Sequence, residues 1–325
     1  ERAGALPVAS LRLASRRPFT MPQDAPPTPS AQSRLAVPAL VVAVTAISFA
    51  AIFLKLAEPT HALTRSGLRL LMAAALLAPA VWRGWRRGRL QPVLGWAALA
   101  GLIYAVHFSA WIWSLDLTSV AASVTLVTAT PLLLAVVGVI SGKDRPEGRL
   151  WAALALGAAG VAIVGGADLS FSGRALAGDG LALLGTAAMA GYLLLARRLH
   201  PRIEVWSFLG VACAVGGAAV MAAAWAGGVG LVPSSGEAVF YIFLSALIPQ
   251  VVGHGLLTWS LRHSTPTVVG LATLGEPVGS TLLAWVWLGE AAPAVVLAGC
   301  AVVLAALVIA LSRRRGGGSA EVVAP

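Results

Sequence analysis

Ten long apolar stretches separated by short polar segments dominate this sequence of 325 residues. A helix needs about 20 consecutive apolar residues to cross the hydrocarbon layer of a bilayer, and each stretch is close to that length. Only 11% of the residues are charged, against about 25% in ordinary soluble domains, which excludes a soluble globular fold and a disordered chain. The runs are continuous rather than alternating, which favours helices. They cover residues 35–56, 63–82, 94–114, 118–140, 150–166, 179–197, 205–227, 238–258, 266–288 and 292–312.

The two ends of the chain differ from this apolar body. Residues 1–34 contain five arginines and several prolines and lack an apolar core of signal-peptide length. They predict a disordered, basic cytoplasmic tail, in which Met21 is a candidate translation start. Residues 313–325 predict a second cytoplasmic tail, basic and then glycine-rich.

The distribution of positive charge predicts an orientation. With the amino terminus in the cytoplasm, all but four of the 23 Lys and Arg residues lie in cytoplasmic loops and tails, as the positive-inside rule requires. The four exceptions are Lys55, Arg65, Arg69 and Arg174. Both termini are therefore expected in the cytoplasm, and the formal net charge of +10 is explained by contact with anionic lipid, without a nucleic-acid partner.

The two halves of the sequence resemble each other at a shift of 146 positions. Trp113-Ser114-Leu115 recurs as Trp259-Ser260-Leu261, and Pro131 falls on Pro277. The repeats are predicted at 35–166 and 167–312, with five helices each. Because five is odd, the two copies must lie in opposite orientations. Inverted repeats are typical of secondary transporters, whose substrate site lies near the bilayer midplane between the repeats.

Three segments resemble the EamA-type transporters of the drug/metabolite transporter superfamily. They are Ser66-Gly67-Leu68-Arg69, the run AVHFSAWIWSLDLTSVAAS from Ala105 to Ser123, and LGEPVGSTLLAWVWLGE from Leu274 to Glu290. The resemblance implies an all-α integral membrane protein with ten transmembrane helices in two inverted five-helix repeats. It also implies export of small metabolites, often amino acids or related compounds, across a bacterial inner (plasma) membrane.

Ionisable groups within the spans are the first site candidates. Such a group costs about 2.5–3.5 kcal/mol at mid-bilayer on the translocon insertion scale, so a functional role is the default hypothesis. Glu276 lies inside the ninth span, and Pro277 after it removes a backbone donor and opens the helix. A cation or proton site fits this pair, and a structural ion pair between Glu276 and Arg69 is an equal alternative. Arg69 either binds a substrate carboxylate or, as we favour, serves as a structural partner.

Polar and aromatic residues in the third, sixth and eighth spans complete the set. Gln250 and His254 share a helix face at i, i+4, as do His107 and Trp111. Each histidine is either a proton relay or a satisfied core residue. Tyr104, Trp111 and Tyr192 could form an aromatic wall around a substrate. The other tryptophans near span ends are better interpreted as interfacial anchors.

The residue patterns of other protein classes do not occur in the sequence. There is no Walker loop, no catalytic constellation and no metal-ligand spacing, so we expect no cofactor, no metal and no enzymatic activity. The prediction is a secondary transporter that exports a small metabolite by alternating access, with the substrate gradient or proton exchange as the energy source. The alternatives are a multidrug or organic-cation efflux pump and a non-transporting membrane component. Glycine spacing in two spans is compatible with a homodimer and with packing inside one chain.

Overall fold

The computed structural model describes residues 35–118, 120–141, 147–166, 172–199, 204–288 and 294–311. Within these ranges the regular secondary structure is entirely helical, as predicted. The predicted tails and the loop residues Lys143, Arg145 and Arg202 lie outside them. The helices are α1 (Ala36–Leu56), α2 (Ala62–Arg86), α3 (Leu94–Leu117), α4a (Val120–Val127), α4b (Thr130–Ser141), α5 (Gly148–Gly166), α6 (Gly173–Leu199), α7 (Val205–Ala226), α8 (Gly236–Ser260), α9a (Pro266–Thr273), α9b (Gly275–Leu288) and α10 (Ala294–Leu311).

The lengths and hydropathies of these helices are those of a multi-pass membrane protein. Seven stretches in the described residues are long and apolar enough to span a bilayer: α1, α2, α3, α6, α7, α8 and the α9a–α9b pair. The described apolar stretches of α4b, α5 and α10 are shorter, at 10–17 residues each. The described residues thus support a membrane-embedded helical bundle, and the count of ten crossings stays a prediction.

Helices α4 and α9 are each interrupted in the middle, at equivalent positions of the two halves. A proline ring collides with the carbonyl group four residues before it, which ends a helix there. Helices α4a and α9a end at Val127 and Thr273, four residues before Pro131 and Pro277. Each proline lies in the first turn of the half-helix that follows, where its missing N–H would have no helical partner. The shift of 146 positions therefore relates two broken helices.

Helix α8 is distorted by a proline in the same way. Its α-helical part ends at Ser245, four residues before Pro249, and a π-helical segment follows from Ala246 to His254. Inserted π-helical turns are rare and occur frequently at functional sites. Gln250 and His254 both lie within this segment.

The largest helix–helix interfaces follow the internal repeat. Helix α3 packs on α6 and α7. Its equivalent in the other half, α8, packs on α1 and α2, which are the equivalents of α6 and α7. The pairs α2–α7 and α5–α10 are also in contact. Each of these pairs joins equivalent helices of the two halves. The two halves therefore pack around a common axis, with α3 and α8 as equivalent helices near the centre.

Two glycines let α3 and α7 approach closely. A Cβ atom on Gly101 would lie 2.6 Å from the Ala212 carbonyl oxygen, and one on Gly216 would lie 2.6 Å from the Gly101 carbonyl oxygen. Small residues at helix crossings are the usual basis of tight packing in membranes, where the hydrophobic effect contributes little between helices.

A buried salt bridge joins the end of the bundle at which α1 ends and α2 begins. Arg65 is fully buried, and its Nη2 atom donates to Asp116 Oδ1 at 2.5 Å and to Asp116 Oδ2 at 2.6 Å. Its Nη1 atom donates to the Leu54 carbonyl at 2.7 Å. Arg174, at the start of α6, donates to the Asp116 carbonyl at 2.8 Å. Four helix ends are thereby held together at what we call the Arg65 end.

We expect Gly101→Ala to destabilise the protein by about 1–3 kcal/mol, because the added methyl group overpacks the α3–α7 crossing. Gly180→Ala in α6 is the matched control, since nothing lies within 4 Å of a Cβ atom there. A glycine-to-alanine change in an open helical position should be neutral or stabilising by up to about 1 kcal/mol. Thermal melting in detergent measures both. Equal melting temperatures would contradict the close approach.

We expect Asp116→Asn to destabilise the protein by about 2–4 kcal/mol, because it leaves the buried Arg65 charge with only the exposed carboxylate of Glu58, 3.8 Å away, as its counter-ion. The Asp116 side chain is 27% exposed, which keeps the loss below that of a fully buried pair. Lys55→Gln is the control, since the Lys55–Glu58 pair is exposed and should contribute less than about 1 kcal/mol. A similar loss in both variants, measured by thermal melting, would show that the Arg65–Asp116 pair contributes no more to stability than the exposed Lys55–Glu58 pair.

Candidate functional site

The polar residues predicted from the sequence converge in the interior of the bundle. A cavity of about 40 Å³ is lined by His107, Trp111, His254 and Glu276, together with side chains from α1, α4, α6 and α9a. Four more of the predicted residues pack behind these lining side chains: Arg69, Tyr104, Tyr192 and Gln250. Pro277 follows Glu276 in the sequence. A larger groove of about 430 Å³ between α1, α9 and α10 has no charged residue among those that line it. The smaller cavity is therefore where the candidate chemistry lies.

Aromatic rings from α3, α6 and α8 form one wall of the site. The rings of Tyr104 and Tyr192 stack with centroids 4.1 Å apart. The His254 ring lies edge-on to Phe108 at 5.3 Å and to Tyr104 at 6.0 Å. Phe108 and His254 are equivalent positions of the repeat, so the two halves meet here. The rings of Tyr104 and Tyr192 are in contact, and Phe108, which the sequence interpretation did not single out, belongs to the same cluster. Their role as a wall around a substrate stays a prediction.

Hydrogen bonds fix two of these side chains. His107 Nδ1 lies 2.8 Å from the Gly185 carbonyl oxygen, which only accepts, so Nδ1 carries the proton and Nε2 of the neutral ring is an acceptor. The Thr258 hydroxyl donates to the His254 carbonyl at 2.8 Å and therefore accepts from the Tyr192 hydroxyl at 3.0 Å. The imidazole of His107 is thus oriented by α6 before any ligand arrives.

The Arg69 guanidinium is buried against neutral partners. Its Nε and Nη2 atoms donate to Gln250 Oε1 at 3.2 and 3.1 Å, and its Cζ atom lies 4.6 Å from the centre of the Phe108 ring. The Nη1 atom is buried without a hydrogen-bond partner, as is Nε1 of Trp111. A buried charge without a counter-ion costs several kcal/mol. Arg69 is therefore a buried cation behind the cavity lining, with no counter-ion in direct contact.

Glu276 lies at the start of α9b, on the cavity. The amino terminus of a helix carries a partial positive charge that stabilises a carboxylate by about 0.3–1 kcal/mol. Its position in the repeat corresponds to Thr130 at the start of α4b, and both residues line the cavity. Two proline-broken helices therefore direct the first turn of their second halves at the same space, one with a carboxylate and one with a hydroxyl group.

The structure contains no ion pair between Glu276 and Arg69. Both residues are described, and no nitrogen–oxygen distance between them falls within 4.0 Å. The alternative in which Glu276 only neutralises Arg69 by direct contact is therefore wrong for this structure. Gln250 occupies the place of that partner, because the π-helical segment of α8 brings its amide to the guanidinium.

Several residues at the site were missed by the sequence interpretation. Phe108 and Cys213 carry no polar signature, although Cys213 Sγ accepts from Gln250 Nε2 at 3.7 Å. Arg65 was counted only as a loop charge, yet it lies four residues before Arg69 and therefore on the same inward face of α2. That spacing was the available signal.

We expect Gln250→Leu to destabilise the protein by about 1.5–3 kcal/mol, because it removes the only hydrogen-bond acceptor that Arg69 has in the described residues. Gln91→Leu is the control, since Gln91 makes an exposed bond to the Trp85 carbonyl and its loss should cost much less. Thermal melting in detergent compares them. An unchanged melting temperature in Gln250→Leu would mean that Arg69 finds another acceptor.

Comparison with known proteins places this architecture in a family. The sequence model of the EamA-like transporter family matches residues 34–166 and 176–312, one match for each half. Among curated proteins no sequence matches significantly. A solved crystal structure, titled only "Crystal structure of protein", matches with a TM-score of 0.69 and 17% identity, over 85% of this chain and 97% of its own. At that identity the likeness shows the fold alone, whereas the family match covers most of the sequence. The chain is therefore a membrane protein that belongs to the EamA-like transporter family of the drug/metabolite transporter superfamily.

Proposed function

We propose that this protein is a secondary active transporter that exports a small zwitterionic or anionic metabolite, such as an amino acid or a related compound, by alternating access. One observation carries the proposal. Two helices broken at equivalent prolines, Pro131 and Pro277, end at a cavity that holds the unpaired carboxylate of Glu276. Discontinuous helices at corresponding positions of two repeats are the recurrent form of a transporter site.

The site is built for polar ligands rather than for hydrocarbon. Irregular backbone at membrane depth is tolerated only where it is buried in protein or lines a water-filled cavity. Thr128, Thr130, His107, His254 and Glu276 line the space between the broken helices. These groups can exchange hydrogen bonds with a solute that replaces water, and Glu276 is the candidate for proton exchange.

The remaining parts of the proposal follow from charge and topology. Ten crossings, with both termini in the cytoplasm of a bacterial inner membrane, would put the Arg65 end on the outer side. There the Arg65–Asp116 pair would hold the outer end closed, and its opening would release the solute. A homodimer is compatible with this arrangement and is not required by it.

Two other functions make different demands on the site. An organic-cation efflux pump would use Glu276 as the counter-ion of its substrate, but the positive charge of Arg69 behind the same lining opposes a cation. A non-transporting component would seal Glu276 and Arg69 in a dry salt bridge. That contact is absent between these two described residues.

Counterflow in proteoliposomes tests the proposal. With a mixed pool of labelled amino acids and small metabolites, we expect wild-type protein to accumulate at least one solute. We expect Glu276→Gln to keep counterflow and to lose pH-driven uptake, because the amide cannot exchange a proton. Glu237→Gln is the matched control, since Glu237 is an exposed carboxylate at the start of α8.

Each other outcome changes the proposal in a defined way. Loss of both activities in Glu276→Gln, with an unchanged melting temperature, would make Glu276 a substrate ligand rather than the coupling group. Uptake of organic cations alone would favour the efflux pump. No uptake by wild-type protein under any ion gradient would contradict transport of this class of solutes.

A further inference from the structure

One buried carboxylate lines the cavity and one buried cation lies behind its lining, and the two do not touch. Arg69 is fully buried, and its Nη1 atom has no acceptor. Glu276 is the only acidic side chain in the buried class among the residues that the structure describes, and it makes neither a hydrogen bond nor a salt bridge there. The two charges interact electrostatically across the site. They therefore balance each other at a distance, and neither has a partner of its own.

No other charge compensates them. The ionisable groups that face Glu276 or stand behind the cavity wall are His107 and Tyr104 from α3, His254 from α8, Tyr192 from α6 and Cys213 from α7. With these groups neutral, the empty site has zero net charge when Glu276 is ionised and one positive charge when Glu276 is protonated. Helices α1 and α4 contribute only apolar and hydroxyl side chains to the lining.

Two unsatisfied donors show where an anion would bind. Arg69 Nη1 and Trp111 Nε1 are both buried without an acceptor, and the Arg69 Cζ atom lies 5.9 Å from the centre of the Trp111 ring. Buried donors without partners are rare in folded proteins. Trp111 lines the cavity and Arg69 lies behind it. An acceptor that entered the cavity would therefore meet Trp111 before Arg69. A carboxylate has two oxygens and can accept from both donors.

We infer that the site binds a small monocarboxylate together with one proton: the carboxylate accepts from Arg69 Nη1 and Trp111 Nε1, and the proton goes to a carboxylate oxygen of Glu276. No covalent bond changes other than the O–H bond formed on Glu276, and the proton comes from the solvent. The site then keeps zero net charge with and without its ligand, which a low-dielectric interior favours strongly. This inference rests on the proposed function and names its substrate class and stoichiometry: one carboxylate and one proton would cross together, so the outward solute gradient would drive export.

Formate tests the inference because it is the smallest carboxylate and suits a cavity of about 40 Å³. We would compare the melting temperature of the full-length protein in detergent, in about 0.1 M sodium formate and in about 0.1 M sodium chloride. Wild-type protein should be stabilised by formate at about pH 5.5 and much less at about pH 8, because its ligand requires a proton. The expected rise is about 2–4 °C at the lower pH.

Two variants separate the anion from the proton. Glu276→Gln mimics the protonated carboxyl group, so formate should stabilise this variant equally at both pH values. Arg69→Met combined with Glu276→Gln should abolish the effect, because it removes the cation. In weakly buffered solution, at a pH at which Glu276 is ionised in the ligand-free protein, addition of formate to wild-type protein should take up about one proton for each formate bound, and addition to Glu276→Gln should take up none.

Other results would overturn the inference. These are equal stabilisation by formate and chloride, stronger stabilisation of wild-type protein at the higher pH, and a double variant that responds like the wild type. Should Glu276→Gln fail to fold, the proton uptake and the pH dependence of wild-type protein decide the matter alone. The measurement needs no transport. Formate binding without counterflow would contradict the proposed function and leave the binding of a monocarboxylate with one proton standing. Counterflow without this formate response would overturn the inference and leave the proposed function standing.

Discussion

The absence of water from the bilayer core is the constraint on which this structure depends. A backbone carbonyl that loses its helical partner in hydrocarbon costs several kcal/mol, so a broken helix is tolerated only where protein or a hydrated cavity surrounds the break. Pro131, Pro249 and Pro277 disturb three helices of this bundle. The bundle must therefore enclose α4, α8 and α9 at these points. The position of the cavity is a consequence of where the prolines lie.

Electrostatics then distinguishes the two halves of a nearly symmetric scaffold. In the repeat, Thr130 stands at the position of Glu276 and Tyr104 at the position of Gln250, so these two polar groups of the second half have an uncharged hydroxyl and an aromatic ring as their counterparts in the first. Arg69 contacts Gln250 and Phe108, and so the first half supplies the cation while the second half supplies its neutral acceptor and a distant carboxylate.

The two buried arginines of α2 illustrate two uses of the same residue type. Arg65 has a bidentate partner in Asp116 and a carbonyl acceptor in Leu54, so its charge is compensated and it fastens helix ends. Arg69, one turn further, has an amide acceptor only and keeps an unsatisfied donor. The first arrangement fastens helix ends. The second leaves a buried donor without an acceptor.

The sequence by itself determined the membrane class, the helical character, the repeat and most of the candidate residues. These properties depend on hydrophobic length, on period and on the rarity of Glu276, Arg69, His107 and His254 in apolar runs. Only the tertiary structure decided which polar groups meet. The π-helical segment of α8 turns Gln250 toward Arg69, and the hydrogen bond that Arg65 donates to Asp116 joins residues 51 positions apart. Such contacts depend on how helices cross, which is set by packing at positions such as Gly101 and Gly216. Hydrophobic periodicity specifies which face of a helix is buried but not the neighbour that it contacts.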